Sequence, residues 1–325
     1  MAQFSEEYTV PFDRRIARFH EQLTPSRCEA LHRDGFVVID DFLGKGWALA
    51  LLQEMRWLNR EGLMRPNETR FSHPNGQRLQ FSKPNIFEVD LHDQAVRDRV
   101  PEMRALFFQE ELVEALSAAF SGELCLTRGT QGRVLKLQRN AAGSGGCFPL
   151  HYDNPGPPSK RALTCLVYLN PDWKDGDGGE LCLTPFLSKE KVIPPVLDRM
   201  VIFRSDRVLH RVLPCYAERY MLTVWLDSPD VNSPAESTLR ISKAQLEDWL
   251  RFCDHLRHSP VQRVLSRGVY EEEYERSLRE CMTGADGFEE MLGAHQALVS
   301  GLKKNKALYG IIQRLRQTAV LAALS

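Results

Sequence analysis

The sequence predicts an α+β protein in which an antiparallel β region lies between two helical parts. Between residues 124 and 228, short β-type runs alternate with Gly, Pro, Asn and Asp, which is typical of a sandwich or barrel. Before and after this region, apolar residues recur at the spacing of helices. The chain has 325 residues, 43% of them hydrophobic, so it can form two structural units and bury a substantial core.

The elements can be placed in order along the sequence. A short helix ends at Gly35, a β run follows, and a helix occupies about 47–61. Another helix is predicted over about 101–120. Seven β runs come next, at residues 132–138, 147–152, 162–170, 180–184, 199–203, 210–213 and 220–226. Near the C-terminus, Ser242 and Gln245 form a capping-box pattern that predicts the start of a helix.

Composition divides the chain into parts of different character. The predicted organisation is an N-terminal arm at 1–22, a main domain at 23–228, a linker at 229–241 and a helical region at 242–325. The linker is assigned because Pro, Asp, Asn and Ser cluster there without an apolar pattern.

Charge, N-terminal sequence and cysteines indicate the compartment. The chain has 42 Lys and Arg against 43 Asp and Glu, so bulk nucleic-acid binding is not expected. No apolar run reaches the roughly 18–20 residues of a membrane span, and the acidic N-terminus lacks the pattern of a secretory signal. The eight cysteines form no CxxC motif, so we expect reduced, mostly buried thiols. These features predict a soluble protein of the cytoplasm or nucleus.

Two histidines and a carboxylate in the β region have the pattern of a metal site. His151 and Asp153 are two residues apart, and on a strand such residues share a face. His210 lies on a later predicted strand. Two His and one carboxylate form the facial triad of non-haem Fe(II) oxygenases, which leaves positions open for a co-substrate and O₂. Alone the pattern is weak, because such residues also meet by chance.

Three further residues strengthen the iron interpretation. Arg219 begins the strand after His210, where a buried guanidinium can bind a carboxylate through two parallel charge-assisted hydrogen bonds. Thr223 lies on the same face of that strand, and Tyr168 offers a phenol from another strand. Together these residues predict an iron centre beside a site for a dicarboxylate.

Five segments follow one another in the β region. They are His151-Tyr-Asp-Asn-Pro155, Thr164-Cys-Leu-Val-Tyr-Leu-Asn-Pro-Asp-Trp173, Gly178-Gly-Glu-Leu181, Asp198-Arg-Met-Val-Ile-Phe-Arg-Ser-Asp206 and Arg219-Tyr-Met-Leu-Thr-Val-Trp225. In this order they resemble the 2-oxoglutarate- and Fe(II)-dependent dioxygenases of the prolyl 4-hydroxylase superfamily, and among them the oxygen-sensing HIF prolyl hydroxylases. Residues 35–44 are similar to that family's first strand, so the resemblance extends over roughly 23–228.

The resemblance implies a double-stranded β-helix (jelly-roll, cupin-like) core with supporting N-terminal helices and a C-terminal helical extension. It implies that His151, Asp153 and His210 are catalytic and hold Fe(II). The residues expected to contact 2-oxoglutarate are Arg219, Tyr168, Thr223, Leu181 and Gln138. Those expected near the substrate are Arg161, Asn154 and Trp225. The implied reaction consumes O₂ and 2-oxoglutarate, yields succinate and CO₂, and is commonly supported by ascorbate.

The chain departs from the oxygen sensors in three places. Gln138 stands where they usually have a Tyr, and a Gly-rich loop precedes His151, which leaves the co-substrate affinity open. Residues 81–90 do not match their substrate-gripping loop, which leaves the target open. About 90 residues follow residue 235 where those enzymes have a short tail.

We expect a dioxygenase that hydroxylates prolyl residues of an intracellular protein, with oxygen sensing as a further role of the enzymes it resembles. The expected partner is a protein or peptide containing proline, with no nucleic acid and no membrane. One alternative is a hydroxylase of a free amino acid or small metabolite. The width of the groove near Arg161 would distinguish the two, because a peptide needs an open groove and a metabolite a closed pocket. The other is a scaffold whose oxygenase domain is inactive. The sequence sets neither the oligomeric state nor the target.

Overall fold

The structure is a computed structural model that describes residues 19–72, 78–120, 122–143, 145–232 and 241–324. The strands in these ranges are β1 Phe36–Ile39, β2 Arg65–Ser72, β3 Arg78–Asp90, β4 Arg133–Asn140, β5 Gly146–His151, β6 Arg161–Tyr168, β7 Leu181–Pro185, β8 Lys191–Ile193, β9 Met200–Arg204, β10 Val208–Cys215 and β11 Arg219–Asp227. Most of the predicted arm and residues 233–240 of the predicted linker lie outside the described residues, so the domain boundaries stay predictions.

The helices flank these strands in the sequence. They are α1 Pro25–Asp34, α2 Lys45–Arg60, α3 Gln94–Arg97, α4 Pro101–Phe107, α5 Glu111–Ala119, α6 Lys243–Glu247, α7 Trp249–Arg257, α8 Gln262–Val269, α9 Glu271–Met282, α10 Phe288–Lys304 and α11 Lys306–Leu324. In the described ranges, none of them combines the length and the apolar character that crossing a bilayer requires.

Two antiparallel sheets form the core. The larger has the strand order β1-β9-β6-β11-β4-β3-β2, and the smaller has the order β5-β10-β7-β8. Apolar side chains from both sheets meet between them, with Tyr168 and Met221 on one side and Leu181 and Val212 on the other. The predicted jelly-roll core is confirmed.

The N-terminal helices cover the outer face of the larger sheet. Their apolar residues join those of β4, β6, β9 and β11 in one cluster. The fully buried Glu54 of α2 accepts hydrogen bonds from the backbone N–H of Glu102 (2.7 Å) and Met103 (2.8 Å), the first amides of α4. The single helix predicted over 101–120 is wrong, because the chain leaves the helical path between α4 and α5.

The C-terminal helices cover the outer face of the smaller sheet. The capping box of Ser242 and Gln245 is confirmed at the start of α6. Leu150 of β5 and Leu209 of β10 pack among apolar residues of α7, α8, α9 and α11. The backbone N–H of Leu150 also donates to the buried Ser277 Oγ of α9, at 3.0 Å. The C-terminal region therefore supports the two strands that carry His151 and His210.

One pair of cysteines corrects the sequence-based expectation. Cys147 of β5 and Cys281 of α9 form a disulfide, with their Cα atoms 5.3 Å apart. The prediction that all eight cysteines are reduced thiols is therefore wrong for this pair. The two residues are 134 positions apart in the chain, so no local motif could reveal that they meet. The other six cysteines are free.

Candidate active site

The three proposed metal ligands converge at one end of the smaller sheet. His151 and His210 are directly opposite each other in the antiparallel pair β5–β10, and their ring centroids are 4.3 Å apart. Asp153 lies in the loop just after β5, and the turn of this loop directs its carboxylate to the site. The prediction that Asp153 shares a strand face with His151 is therefore wrong. Its Oδ1 is 3.4 Å from His151 Nε2, and its Oδ2 is 3.7 Å from His210 Nε2.

Backbone carbonyls fix the orientation of both imidazoles. His151 Nδ1 is 2.7 Å from the carbonyl oxygen of Pro149, and His210 Nδ1 is 3.2 Å from that of Val208. Since a carbonyl only accepts, each Nδ1 donates and each Nε2 presents a lone pair to the site. Burial and the neighbouring His151 lower the pKa of His210 to about 4, so its ring is neutral near pH 7.

Two donors hold the carboxylate in place. Thr164 Oγ1 donates to Asp153 Oδ2 at 2.7 Å, and Trp225 Nε1 donates to the same oxygen at 3.0 Å. Burial alone raises the pKa of Asp153, but His210, His151 and the Trp225 hydrogen bond outweigh it and bring the pKa well below its usual range. The carboxylate is therefore ionised and oriented, with Oδ1 left on the side of His151.

This donor set fits a divalent iron ion. One ligand atom from each of the three residues lies within 4.8 Å of the other two. Two imidazole nitrogens and one carboxylate oxygen are the donors that Fe(II) oxygenases use, and three protein ligands leave coordination positions open. The structure thus brings together the three residues that the sequence predicted as ligands.

Buried donors without partners mark the other end of the site. Arg219 Nη1 lies 3.2 Å from Asn140 Oδ1 and 3.1 Å from Met221 Sδ. Its Nε and Nη2, and the hydroxyl of Tyr168, have no hydrogen-bond partner in the described part of the chain, although both side chains are almost completely buried. Leaving such donors unpaired is costly, and one carboxylate can accept from all three. This end fits the distal carboxylate of 2-oxoglutarate.

A glycine makes room for the guanidinium. Gly179 has a φ of +77°, and a Cβ at this position would lie 2.6 Å from Arg219 Cδ and 2.9 Å from Cys215 Sγ. Only Gly combines this left-handed backbone with such a close approach. Gly179, which the sequence offered only as part of a matching segment, is therefore needed to seat Arg219.

A cavity of about 670 Å³ joins the triad to its surroundings. Of the predicted contacts, Gln138, Leu181, Thr223, Arg161 and Trp225 line it. Tyr168 and Arg219 lie behind this wall, next to its lining residue Met221.

The substrate residues proposed from the sequence differ in position. Arg161 stacks its guanidinium on the Trp225 ring, 4.0 Å from the centroid, at the cavity wall. Asn154 is fully buried beneath the loop, where its Nδ2 donates to the carbonyl of Arg161 and its Oδ1 accepts from Gly156 N–H. Asn154 therefore shapes the loop, and the structure does not bring it to the cavity wall.

Comparison with known proteins identifies the fold and its chemistry. Residues 135–227 match the model of the 2OG-Fe(II) oxygenase superfamily. A crystal structure of prolyl 4-hydroxylases from Phytophthora capsici has 49% identity and a TM-score of 0.84, and the similarity covers 98% of this chain and 100% of that one. The chain belongs to the 2OG-Fe(II) oxygenase superfamily.

Other members of this superfamily are more distant. Human prolyl hydroxylase EGLN3 is 29% identical over 225 residues, which are 65% of this chain and 85% of that protein. Mouse Egl nine homolog 1 is 30% identical over 211 residues, which are 63% of this chain and 50% of that protein. A prolyl hydroxylase from Trichoplax adhaerens, solved with a peptide of the hypoxia-inducible factor oxygen degradation domain, is 25% identical with a TM-score of 0.54, covering 72% of this chain and 100% of that one.

Sequence reasoning missed several polar and charged residues of this oxygenase's cavity. Asn67, Lys83, Glu88 and Lys136 line it, from strands β2, β3 and β4. It also missed Thr164, which orients the iron-binding carboxylate. Thr164 lies in one of the matching segments, which was a usable signal. Lys83 and Glu88 precede the predicted β region, and Lys136 lies in a predicted β run without any motif that marks it as functional.

Proposed function

We propose that the protein is a prolyl hydroxylase that acts on proline residues within a peptide or protein. One observation carries the proposal: the site has a metal-binding end and a carboxylate-binding end. The triad His151–Asp153–His210 forms the first, and the donors of Arg219 and Tyr168 that have no partner among the described residues form the second. The prolyl 4-hydroxylase structure from Phytophthora capsici, which resembles the chain over nearly its whole length, supports proline as the target.

Each part of the site has a defined task in this reaction. The two Nε2 atoms and the carboxylate would hold Fe(II), and Thr164 and Trp225 keep the carboxylate oriented. Arg219 and Tyr168 would hold the distal carboxylate of 2-oxoglutarate. When bound, iron and 2-oxoglutarate supply the oxidation, in which one O₂ oxygen ends in succinate, CO₂ leaves, and the other oxygen enters the target C–H bond.

The remaining cavity wall suits a polypeptide. Arg161 and Trp225 form one side, and the β2–β3 ribbon contributes Asn67 and Lys83 from another. A flat apolar proline ring can pack near Trp225, while polar groups around it accept and donate to the peptide backbone. We further propose support by ascorbate, which reductant titration would test. A cytoplasmic or nuclear location is also proposed, on the N-terminal sequence; the Cys147–Cys281 disulfide argues against it, and subcellular fractionation would decide.

The decisive experiment is direct detection of the product. Purified protein with Fe(II), 2-oxoglutarate, ascorbate and a pool of proline-containing peptides is incubated under isotopically labelled O₂. Tandem mass spectrometry should locate one labelled oxygen on proline, and Asp153→Ala should give none. Oxygen gain on a free amino acid, with none on any peptide, would replace this proposal with the small-metabolite alternative.

A further inference from the structure

A lysine in the cavity has no counter-ion among the described residues. Lys83 of β3 is half-buried and lines the cavity near the triad. In the described part of the chain, no carboxylate lies within ion-pairing distance of its Nζ, which lies over the face of the Phe148 ring, 4.0 Å from the centroid. Phe148 in turn stacks on His151, with centroids 6.3 Å apart. The ammonium therefore lies in the part of the cavity that Phe148 and His151 also line.

The neighbouring charges are already engaged with one another. Glu88 accepts from Lys136 Nζ at 2.6 Å and from the Asn67 amide. Glu68 accepts from the Gln80 amide. These contacts leave the ammonium of Lys83 facing the cavity.

An unpaired, partly desolvated ammonium is unfavourable unless something neutralises it. Burial lowers the pKa of Lys83 to about 8, with Lys136 acting in the same direction and Glu88 and Asp153 opposing it. A carboxylate that enters the cavity could form a charge-assisted hydrogen bond with the ammonium, and this bond would offset the free energy lost by desolvating it. The distal carboxylate of 2-oxoglutarate has its own anchor at Arg219 and Tyr168, and its other carboxylate would bind the metal as part of the chelate. The substrate is therefore the source of a carboxylate that is not already bound elsewhere.

We propose that Lys83 binds a carboxylate of the substrate, so that the protein selects proline next to a negative charge. This inference rests on the proposed function and specifies its substrate class. The carboxylate has two possible sources with the same chemistry: an Asp or Glu side chain close in sequence to the target proline, or the C-terminal carboxylate of a peptide that ends near it.

A matched set of peptides tests the inference. One position near the proline of a hydroxylated peptide is set to Asp, Asn or Lys, and a second pair of peptides ends shortly after the proline with a free carboxylate or an amide. We expect the wild-type protein to prefer Asp over Asn, or the free C-terminus over the amide, by at least about tenfold in kcat/KM. Whichever pair shows the preference identifies the source.

Variants of Lys83 assign that preference to its charge. Lys83→Met keeps an aliphatic side chain over Phe148 but removes the charge. The ratio of kcat/KM between the charged and the neutral peptide should then fall to about one, because the KM of the charged peptide rises. Lys83→Glu should invert it, so that the Lys peptide becomes the better substrate. Lys174→Met, at an exposed position outside the cavity, is the matched control and should keep the wild-type preference.

The possible failures can be told apart. If wild type hydroxylates proline peptides without regard to charge, or if Lys83→Met keeps the preference, the inference is wrong and the proposed function stands. If Lys83→Met raises the KM for 2-oxoglutarate by as much as it lowers the peptide preference, Lys83 serves the co-substrate and the inference is again wrong. If no proline peptide is hydroxylated at all, the proposed function fails and the inference fails with it.

Discussion

The two ends of the active site are built on different principles. At the co-substrate end, Arg219 and Tyr168 are almost completely buried on regular strands and have donors without a partner among the described residues. The other end, which we call the mouth, is lined by Lys83 and Glu88 of β3 and Lys136 of β4, all half-buried. A dry, preorganised end suits a small ligand of constant shape, whereas a half-buried, charged mouth lets the choice of substrate vary. On the proposed function, chemistry and specificity therefore occupy separate parts of this fold.

The largest expected effect is at the co-substrate end. Arg219→Leu removes the guanidinium, and the loss of a buried charge pair costs about 2–5 kcal/mol, so the KM for 2-oxoglutarate should rise thirtyfold or more. Initial-rate kinetics would measure this, with the exposed Arg128→Leu as control. If the KM for the peptide rises as much as that for 2-oxoglutarate, the separation of the two ends is wrong.

Removing the disulfide tests whether α9 holds β5, the strand that carries Phe148, in place. Cys147 adjoins Phe148 on β5, and its bond to Cys281 holds that strand to α9. Cys147→Ser and Cys281→Ser should each lower the free energy of unfolding by about 2–5 kcal/mol, because the cross-link restricts the unfolded chain. Denaturant unfolding without reductant measures the loss.

The double variant provides the control for this prediction. Because both substitutions break the same bond, the double variant should be little less stable than either single one. Additive losses would mean that each cysteine contributes through packing alone and that the cross-link does not support β5.

A smaller effect is expected from crowding the anchor. Gly179→Ala places a methyl group against Arg219 and should raise the KM for 2-oxoglutarate about tenfold, since overpacking costs about 1–3 kcal/mol. Gly176 has a similar positive φ of +93° but no atom within 4 Å of an added Cβ. Gly176→Ala is therefore the control, because it introduces the same backbone strain without the clash. Equal KM values for 2-oxoglutarate in the two variants would show that the methyl group does not act by displacing Arg219.

The smallest effect is a pH dependence at the mouth. Because the pKa of Lys83 lies at about 8, its ammonium is charged below this pH and neutral above it. The preference for an Asp over an Asn peptide should thus be greatest near pH 7 and decline as the pH rises through 8 to 9. Lys83→Arg should retain the preference to higher pH, because guanidinium stays charged. A parallel decline in that variant would show that another group titrates.

The same division explains what the sequence could predict. Arg219 and Thr223 share a face of β11 because strand alternation is local, and both were predicted from spacing. The triad was predicted as a set, although Asp153 lies in a loop. Lys83 was missed because its position depends on the long strand β3, whose pairing with β2 and β4 is set by tertiary contacts.

The C-terminal helices illustrate the same limit on a larger scale. Their capping box and apolar faces could be predicted, because these depend on neighbouring residues. Their packing on β5 and β10 could not, since it depends on contacts such as Ser277 with Leu150, 127 positions apart. This packing gives the region a role in supporting the iron-binding strands that the sequence left open.

The triad and the Arg219 anchor together should bind one chelated 2-oxoglutarate. The most direct test is an anaerobic titration of the Fe(II)-loaded protein with 2-oxoglutarate, followed by absorption spectroscopy. The wild-type protein should develop a saturable metal-to-ligand charge-transfer band, Arg219→Leu should require far more 2-oxoglutarate to reach it, and Asp153→Ala should not form it. A band of the same affinity in Arg219→Leu, or no band in the wild-type protein, would contradict the account.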